Sequence, residues 1–454
     1  MGRGDFSRPS PLKNMNFRIH LISPSSRNPG NKGKAFHIPQ MGLALLAALT
    51  PSDIDVSITD ELVEPINFDN KVDLVGITVS TKTAVRAYEI ADDFRSRGIP
   101  VVLGGIHPTA VPYEAIQHAD AVVIGEAEGV WTKLLEDCRS GKLNKFYRSD
   151  NFPTLENLPL PRRELFQRDK YVSLNFLQTS RGCPFACHFC SVSTLYGSGV
   201  RLRPVDDVIR EIETLEGNEL LFIDDNIIGR PEYSKELFTR LIPLKKNWLA
   251  LASVTIANNE ETLKLLQKSG CCGLYIGFET NSVDSLMEAG KGQNVKNNYF
   301  ETVKRLHDNG IPMIGSFVVG FDSEDKSCFE RLLNFCVKSK IDAIDFSILV
   351  PYPGTVLYKK LKEENRLIDD HWWLKFEAED VVYKPKLMTR EELYEGLIWI
   401  TREFYKIVPM LKRYVEGIGR RSLFDNFIFW KANMGFRKNA NALLETLPQK
   451  EIIG

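Results

Sequence analysis

Cysteine is scarce and histidine scarcer, with eight and seven among 454 residues. That is too few for a disulfide scaffold, and three of the eight are bunched in one stretch, which suits a reducing, cytoplasmic setting. Long apolar runs are missing too. No eighteen consecutive apolar residues occur, which excludes a transmembrane helix. Neither sign of charge is in excess: 58 Lys and Arg against 59 Asp and Glu leave a net −1. A near-neutral chain with its cations spread along it argues against nucleic acid as the main partner. The opening residues, Met1-Gly-Arg-Gly-Asp-Phe-Ser-Arg-Pro-Ser10, have no apolar centre. They do not read as a signal peptide, and residues 1–14 are expected to be a disordered lead. Gly2 and Ser7 fit the myristoylation pattern poorly. The length predicts two or three domains.

What the sequence does have is Thr179-Ser-Arg-Gly-Cys-Pro-Phe-Ala-Cys-His-Phe-Cys-Ser191. Cys183, Cys187 and Cys190 are spaced so that one loop can turn three thiolates toward one place. Three ligands are one short of a closed zinc site or an ordinary 4Fe–4S site, and no second cysteine pair follows to complete a zinc knuckle. An incomplete set leaves a metal position free for a substrate or cofactor. An apolar run, Tyr171–Leu177, precedes the loop as an expected strand, and Gly182 and Pro184 allow a sharp turn at Cys183. This C-x3-C-x-Φ-C pattern, with Phe189 before the last cysteine, resembles the signature of the radical S-adenosylmethionine (SAM) enzymes. The resemblance implies a 4Fe–4S cluster held by the three cysteines, with SAM chelating the fourth iron and cleaved to a 5′-deoxyadenosyl radical.

Upstream, residues 15–148 alternate short apolar strands with helices: strands at 17–23, 54–59, 72–78, 101–105 and 121–125, helices at 42–49, 83–97 and 128–138. This pattern predicts a doubly wound parallel sheet, whose ligands bind beyond the carboxyl ends of the strands. Thr78, Ser80 and Thr81, then Gly104, Gly105 and His107, then Gly125 and Glu126 stand at those ends. Glycines admit a large flat ligand close to backbone, and hydroxyls can bond its polar rim. The arrangement resembles the cobalamin-binding domain that precedes the radical SAM barrel in one large subfamily, which implies cobalamin at these residues. The loop from Ser23 to His37 lacks the Asp-x-His-x-x-Gly that supplies a cobalt ligand in methionine synthase-like domains. His107 is expected to cap a turn rather than to ligate. A vestigial domain without cobalamin would present a similar sequence.

A proline-punctuated stretch, 149–168, reads as a linker. Residues 169–360 then repeat strand and helix six times, fewer than the eight units of a full TIM barrel and equal to the partial barrel of radical SAM enzymes. The resemblance places SAM at successive strand ends. Asp224, Asp225 and Asn226 face its amino group, Ser253 and Glu279 its carboxylate or ribose, and Gly315 and Phe317, in the run to Gly320, its adenine. Tyr196 and Tyr352 are candidates to face substrate. Cys138, Cys271, Cys272, Cys328 and Cys336 read as packing residues.

Residues 361–454 are expected to form a helical extension. Thr389-Arg-Glu-Glu392 opens a helix to about Val408, with Leu393, Leu397, Ile400, Phe404 and Ile407 as a face packed on the barrel. The aromatic and basic stretch from Arg420 to Leu444 reads as core packing, with contact to a membrane surface or lipid as the alternative. The whole resembles a cobalamin-dependent radical SAM methyltransferase. By that resemblance the adenosyl radical takes a hydrogen from an unactivated carbon, methylcobalamin delivers the methyl group, and a second SAM restores it. A donor such as flavodoxin or ferredoxin is implied. Two rivals remain at this point: a radical SAM cyclase or rearrangement enzyme that transfers no methyl, and a non-enzymatic iron–sulfur carrier or sensor. Lipids, tetrapyrroles, peptides and antibiotic precursors all fit as substrates.

Overall fold

The computed structural model describes residues 17–26, 38–377, 380–419 and 423–445. The expected lead, 1–14, and residues 27–37 of the loop after the first strand lie outside them.

The first sheet has six strands: β1 Phe17–Ser23, β2 Ile54–Asp60, β3 Leu74–Thr78, β4 Val101–Gly104, β5 Ala121–Ile124 and β6 Phe146–Arg148. All are parallel, in the order β2-β1-β3-β4-β5-β6. The order reverses between β1 and β3, which opens a crevice above their carboxyl ends. Near-continuous apolar strands fit burial on both faces. Helices Met41–Leu49 and Trp131–Arg139 cover one face, and helix Ala84–Ser96 the other. The edge strand β6 carried no sequence signal, because only Tyr147 of its three residues is buried.

Residues 149–168 do not hang as a free tether. The amide of Arg162 donates to the Ala44 carbonyl (3.0 Å), and that of Asn157 to Asp207 (2.9 Å). The strand expected over 171–177 is cut to β7, Phe176–Leu177. Tyr171 and Leu174 turn instead into the apolar layer of the first sheet, where the Tyr171 hydroxyl donates to Asp60 (2.8 Å). Short strands β8, Ser180–Arg181, and β9, Arg201–Leu202, form an antiparallel pair around the cysteine loop.

The second sheet adds β10 Glu219–Phe222, β11 Asn247–Ser253, β12 Cys271–Glu279, β13 Met313–Val319 and β14 Ala343–Ile348 to β7. It is wholly parallel, in the order β14-β13-β12-β11-β10-β7. Six strands in sequence order, with β7 and β14 unpaired to each other, make the expected open barrel. Side chains alternate: Trp248, Phe278 and Phe317 point to the outer helices, while Leu251, Tyr275 and Ser316 point inward.

The C-terminal helices close the molecule. Helix Arg390–Phe404 has the expected capping box, and Leu393, Leu397, Ile400 and Phe404 are buried against the barrel. It stops at Phe404, because the Tyr405 ring plugs in beside β14 and its hydroxyl bonds the backbone of Ile344. A new helix starts at Ile407, which is therefore exposed rather than packed. Trp372, Trp373 and Val382 cover one face of the first sheet. No helix among the described residues is long and apolar enough to cross a membrane.

Candidate active site between the two sheets

The carboxyl ends of the first sheet face the mouth of the barrel across a cavity of about 780 Å³. One wall carries Thr78, Ser80, Gly104, Gly105, Gly125 and Glu126. The other carries Gln178, Arg181, Tyr196, Asp225 and Leu251. The cavity also runs down between β1, β3 and the helix Trp131–Arg139, as a slot lined by Leu21, Gly76 and Trp131. A Cβ on Gly76 would come 2.9 Å from Leu21 Cδ2 and face the Trp131 ring, so glycine keeps this slot open. Gly105, with φ of 102°, lies where a Cβ would come 2.8 Å from the Val79 carbonyl oxygen, so only glycine makes the turn after β4.

Not all the residues expected at this wall face the cavity. Thr81 and His107 turn away from it. His107 is fully buried, its Nδ1 3.2 Å from the Thr81 hydroxyl and its Nε2 3.3 Å from Glu114. Glu114 also accepts from Tyr88 (2.8 Å) and from the Trp373 indole (2.9 Å). This polar knot fastens the C-terminal region to the first sheet. Glu126 lines the cavity, but its carboxylate is taken up by Arg181 and by Arg201 (2.5 Å).

The cysteine loop springs from β7 and β8. Gly182 has φ of 88°, and a Cβ there would run into the Gly199 carbonyl oxygen. His188 anchors the loop by donating from its amide to Ala289 O (2.9 Å) and from Nδ1 to Glu288 O (2.7 Å). Phe189 packs edge-to-face with Phe321. Burial raises all three thiols, Cys187 to about 12. The three thiols lie close enough that Cys183 raises both Cys187 and Cys190. Three thiols on one loop are a donor set that a 4Fe–4S cluster can use, leaving its fourth iron open.

Around the loop the strand ends divide their work. Asp224 is wholly buried and accepts from the Thr179 amide (3.0 Å), the Thr179 hydroxyl (2.7 Å) and the Ser180 hydroxyl (2.5 Å). Its lone pairs are engaged in holding the start of the loop, which leaves little for a ligand. Asp225 faces the cavity and accepts from the Gly182 amide (3.0 Å), and burial pushes its carboxyl up to about 6. Asn226 reaches Cys183 and accepts from the Ser253 amide (3.1 Å), while the Ser253 hydroxyl lies 2.7 Å from Thr255. Glu279 ends β12 with a left-handed φ of 67° and pairs with Lys291. Lys291 was not foreseen. It is nearly fully buried, and the Glu279 carboxylate outweighs the burial that would lower it, so its ammonium is held. The one hint in sequence is its position between Gly290 and Gly292.

Three expected residues stand elsewhere. Phe317 is fully buried and stacks on Phe278 with centroids 5.4 Å apart, and the space beside Gly315 is filled by Phe317, Ile341 and Phe278. Both face the outer helices, because the strand's period of two turns its odd-numbered residues outward. Tyr352 packs against Trp372 and does not line the cavity, whereas Tyr196 lines it beneath the Arg181 guanidinium. The five other cysteines are buried or half-buried, as packing residues are.

The chain matches the Radical SAM superfamily model over residues 177–336 and the B12 binding domain model over 35–135. It is 32% identical to bacteriochlorophyllide d C-12(1)-methyltransferase of Chlorobaculum tepidum, over 87% of this chain and 88% of that one. It is 31% identical to the C-8(2)-methyltransferase of the same organism, over 85% and 86%. In fold it resembles the radical SAM methyltransferase TsrM from Kitasatospora setae, solved with cobalamin and a [4Fe–4S] cluster bound. The TM-score is 0.69 at 14% identity, over 95% of this chain and all of that one. The glycine-lined cavity and the three-cysteine loop, whose flanking residues Arg181 and Ser191 line that cavity, suit these same two groups, and the chain belongs to the radical SAM enzymes that carry a B12 binding domain.

Proposed function

We propose that this enzyme transfers a methyl group from SAM to a carbon atom of a tetrapyrrole-type substrate, using a 4Fe–4S cluster and cobalamin. The observation that carries the reading is the cavity lined both by the glycine-rich strand ends and by Arg181, Ser191 and Val192, which flank the three cysteines. When bound, the three cofactors supply reductive cleavage of SAM, hydrogen abstraction and methyl delivery; the protein supplies placement and a dry site.

Cys183, Cys187 and Cys190 would hold the cluster. Asn226, Ser253 and Glu279 would meet the polar end of SAM, with the Lys291 ammonium set against its carboxylate. Thr78, Ser80, Gly104, Gly105 and Gly125 would border the corrin, and the slot at Gly76 would take its nucleotide tail. Tyr196 and Leu251 would turn water away from the reacting carbon. No acid–base pair is needed, and none is singled out here. An external one-electron donor, such as flavodoxin or ferredoxin, would reduce the cluster. The tetrapyrrole is supported by the names of the two bacteriochlorophyllide d methyltransferases, at 32% and 31% identity.

The test uses anaerobic, cluster-loaded protein with hydroxocobalamin, reductant, bacteriochlorophyllide d and SAM deuterated at its methyl group. Retained corrin absorbance after desalting, 5′-deoxyadenosine and a deuterated tetrapyrrole are expected. Retained corrin and 5′-deoxyadenosine without label on the tetrapyrrole would overturn the substrate. 5′-Deoxyadenosine without retained corrin would overturn methyl transfer and favour a cobalamin-free reaction.

A further inference from the structure

The helix Ile407–Gly417 is amphipathic in an unusual sense: its apolar side faces outward. Its inner side, with Met410 and Gly417, is buried. On the outer side, Val408 is 77% exposed, Val415 61% and Ile407 54%, and Leu411 and, just past the helix end, Ile418 are exposed beside them. At 100° per residue these five fall within one arc of about 100°. Five large aliphatic side chains in one exposed stripe mark an interaction surface rather than scattered surface residues.

The neighbouring helix, Leu423–Glu445, extends the surface. Tyr414 and Trp430 meet edge-to-face with centroids 5.4 Å apart and join the two helices. On each helix the residues three before and four after this contact are exposed and apolar: Leu411 and Ile418 beside Tyr414, Phe427 and Met434 beside Trp430. Lysines are set among them. Lys412 borders the first stripe, and Lys431 and Lys438 share the face of Phe427 and Met434. Lys431 lies 4.6 Å above the Phe427 ring. Residues 426–438 contain no acid, and the one acid of the first helix, Glu416, lies off the stripe and pairs with Lys340 (3.5 Å).

We propose that this face seats the enzyme on an anionic lipid surface, with the aliphatic stripe in the acyl boundary and the lysines at the headgroups. The charge pattern chooses the occupant. A second copy of the chain, docked about a two-fold axis, would bring the lysine-bearing face against itself, with no carboxylate in 426–438 to answer it. A bilayer with anionic headgroups meets both halves of the pattern at once, apolar depth and negative surface. The stripe belongs to the enzyme's C-terminal region and not to the cavity, so the proposal stands apart from the identity of the substrate.

The test is sedimentation of the full-length, cluster-loaded protein with phosphatidylcholine vesicles, with or without phosphatidylglycerol. Binding to the phosphatidylglycerol vesicles is expected, and it should weaken as salt rises. The double variant Lys431→Ala/Lys438→Ala should partition roughly thirtyfold less into them, from two lost headgroup contacts. The variant Val408→Ser/Leu411→Ser should lose binding while keeping its cluster absorbance and cobalamin retention, since both positions are exposed. No sedimentation with either vesicle, or binding unchanged in both variants, would overturn the proposal. So would a dimer in solution that Leu411→Ser splits into monomers, which would make the face a contact between copies. Vesicle binding gained only on removal of residues 446–454 would overturn it as well, assigning the face to the chain's own tail.

Discussion

Lys291 and Glu279 form a buried ion pair at the foot of the cysteine loop, and such pairs stand or fall together. Lys291→Met should destabilise the fold by about 3–5 kcal/mol, because it leaves an unanswered carboxylate in the interior. The double variant Lys291→Met/Glu279→Gln should recover much of that loss in urea titrations, yet still fail to bind SAM in equilibrium dialysis. A second titratable residue acts in the other half of the molecule. His20 is buried in the first sheet with its Nε2 2.9 Å from Thr59, its Nδ1 without a partner, and burial lowering it from 6.5 to about 4. Its neutral form suits the fold and its charged form does not. The unfolded chain therefore takes up the proton first as pH falls. Stability should drop by up to about 1.4 kcal/mol per unit between pH 6.5 and 4, and level off below. Denaturation midpoints across this range, flattened in His20→Gln, check it.

At the scale of elements, the slot held open by Gly76 in β3 is open to direct test. Gly76→Val would push two methyl groups toward Leu21 and Trp131. Corrin retention should be lost, SAM cleavage kept, and the fold weakened by about 1–3 kcal/mol, as for other overpacked positions; spectra after desalting and a 5′-deoxyadenosine assay separate the two activities. Gly76 also shows what sequence reading can and cannot see. Long parallel strands announced themselves, because burial on both faces writes them as unbroken apolar runs; β1 falls on the residues expected, and the cysteine loop needed only its spacing. The edge strand β6 wrote nothing, having a single buried residue. Orientation was harder than existence. Gly315 and Phe317 lie on the expected strand, but that the Phe317 side chain faces the outer helices is not legible in an apolar run without alternation. Asp224 and Asp225 are neighbours of one type, and only three-dimensional partners tell the anchor from the residue that faces the cavity. Lys291 belongs to a pair twelve residues apart, with the short helix Val283–Glu288 between them, a distance that no local pattern reports.

For the whole molecule, the joint between the two sheets is a set of buried charges. Arg181, two residues before the first cysteine, pairs with Glu126 and Glu128 of the loop after β5, the latter at 2.6 Å. Arg181→Met would leave both carboxylates short of a partner, at a cost of about 3–5 kcal/mol. Calorimetry should show a single unfolding transition separating into two as the sheets uncouple, and cleavage by trypsin within 149–168 should quicken. The other joint has a different consequence. Trp372, Trp373 and Val382 complete one face of a sheet whose last strand, β6, ends at Arg148. On the ribosome that sheet emerges long before its cover. At roughly 5–20 residues per second the part of that layer left open beside helix Ala84–Ser96 waits on the order of tens of seconds for those tryptophans. The nascent chain therefore passes through a stage in which its earliest domain is complete in hydrogen bonds but open to chaperones and to aggregation, and a stop codon before Trp372 would fix it there.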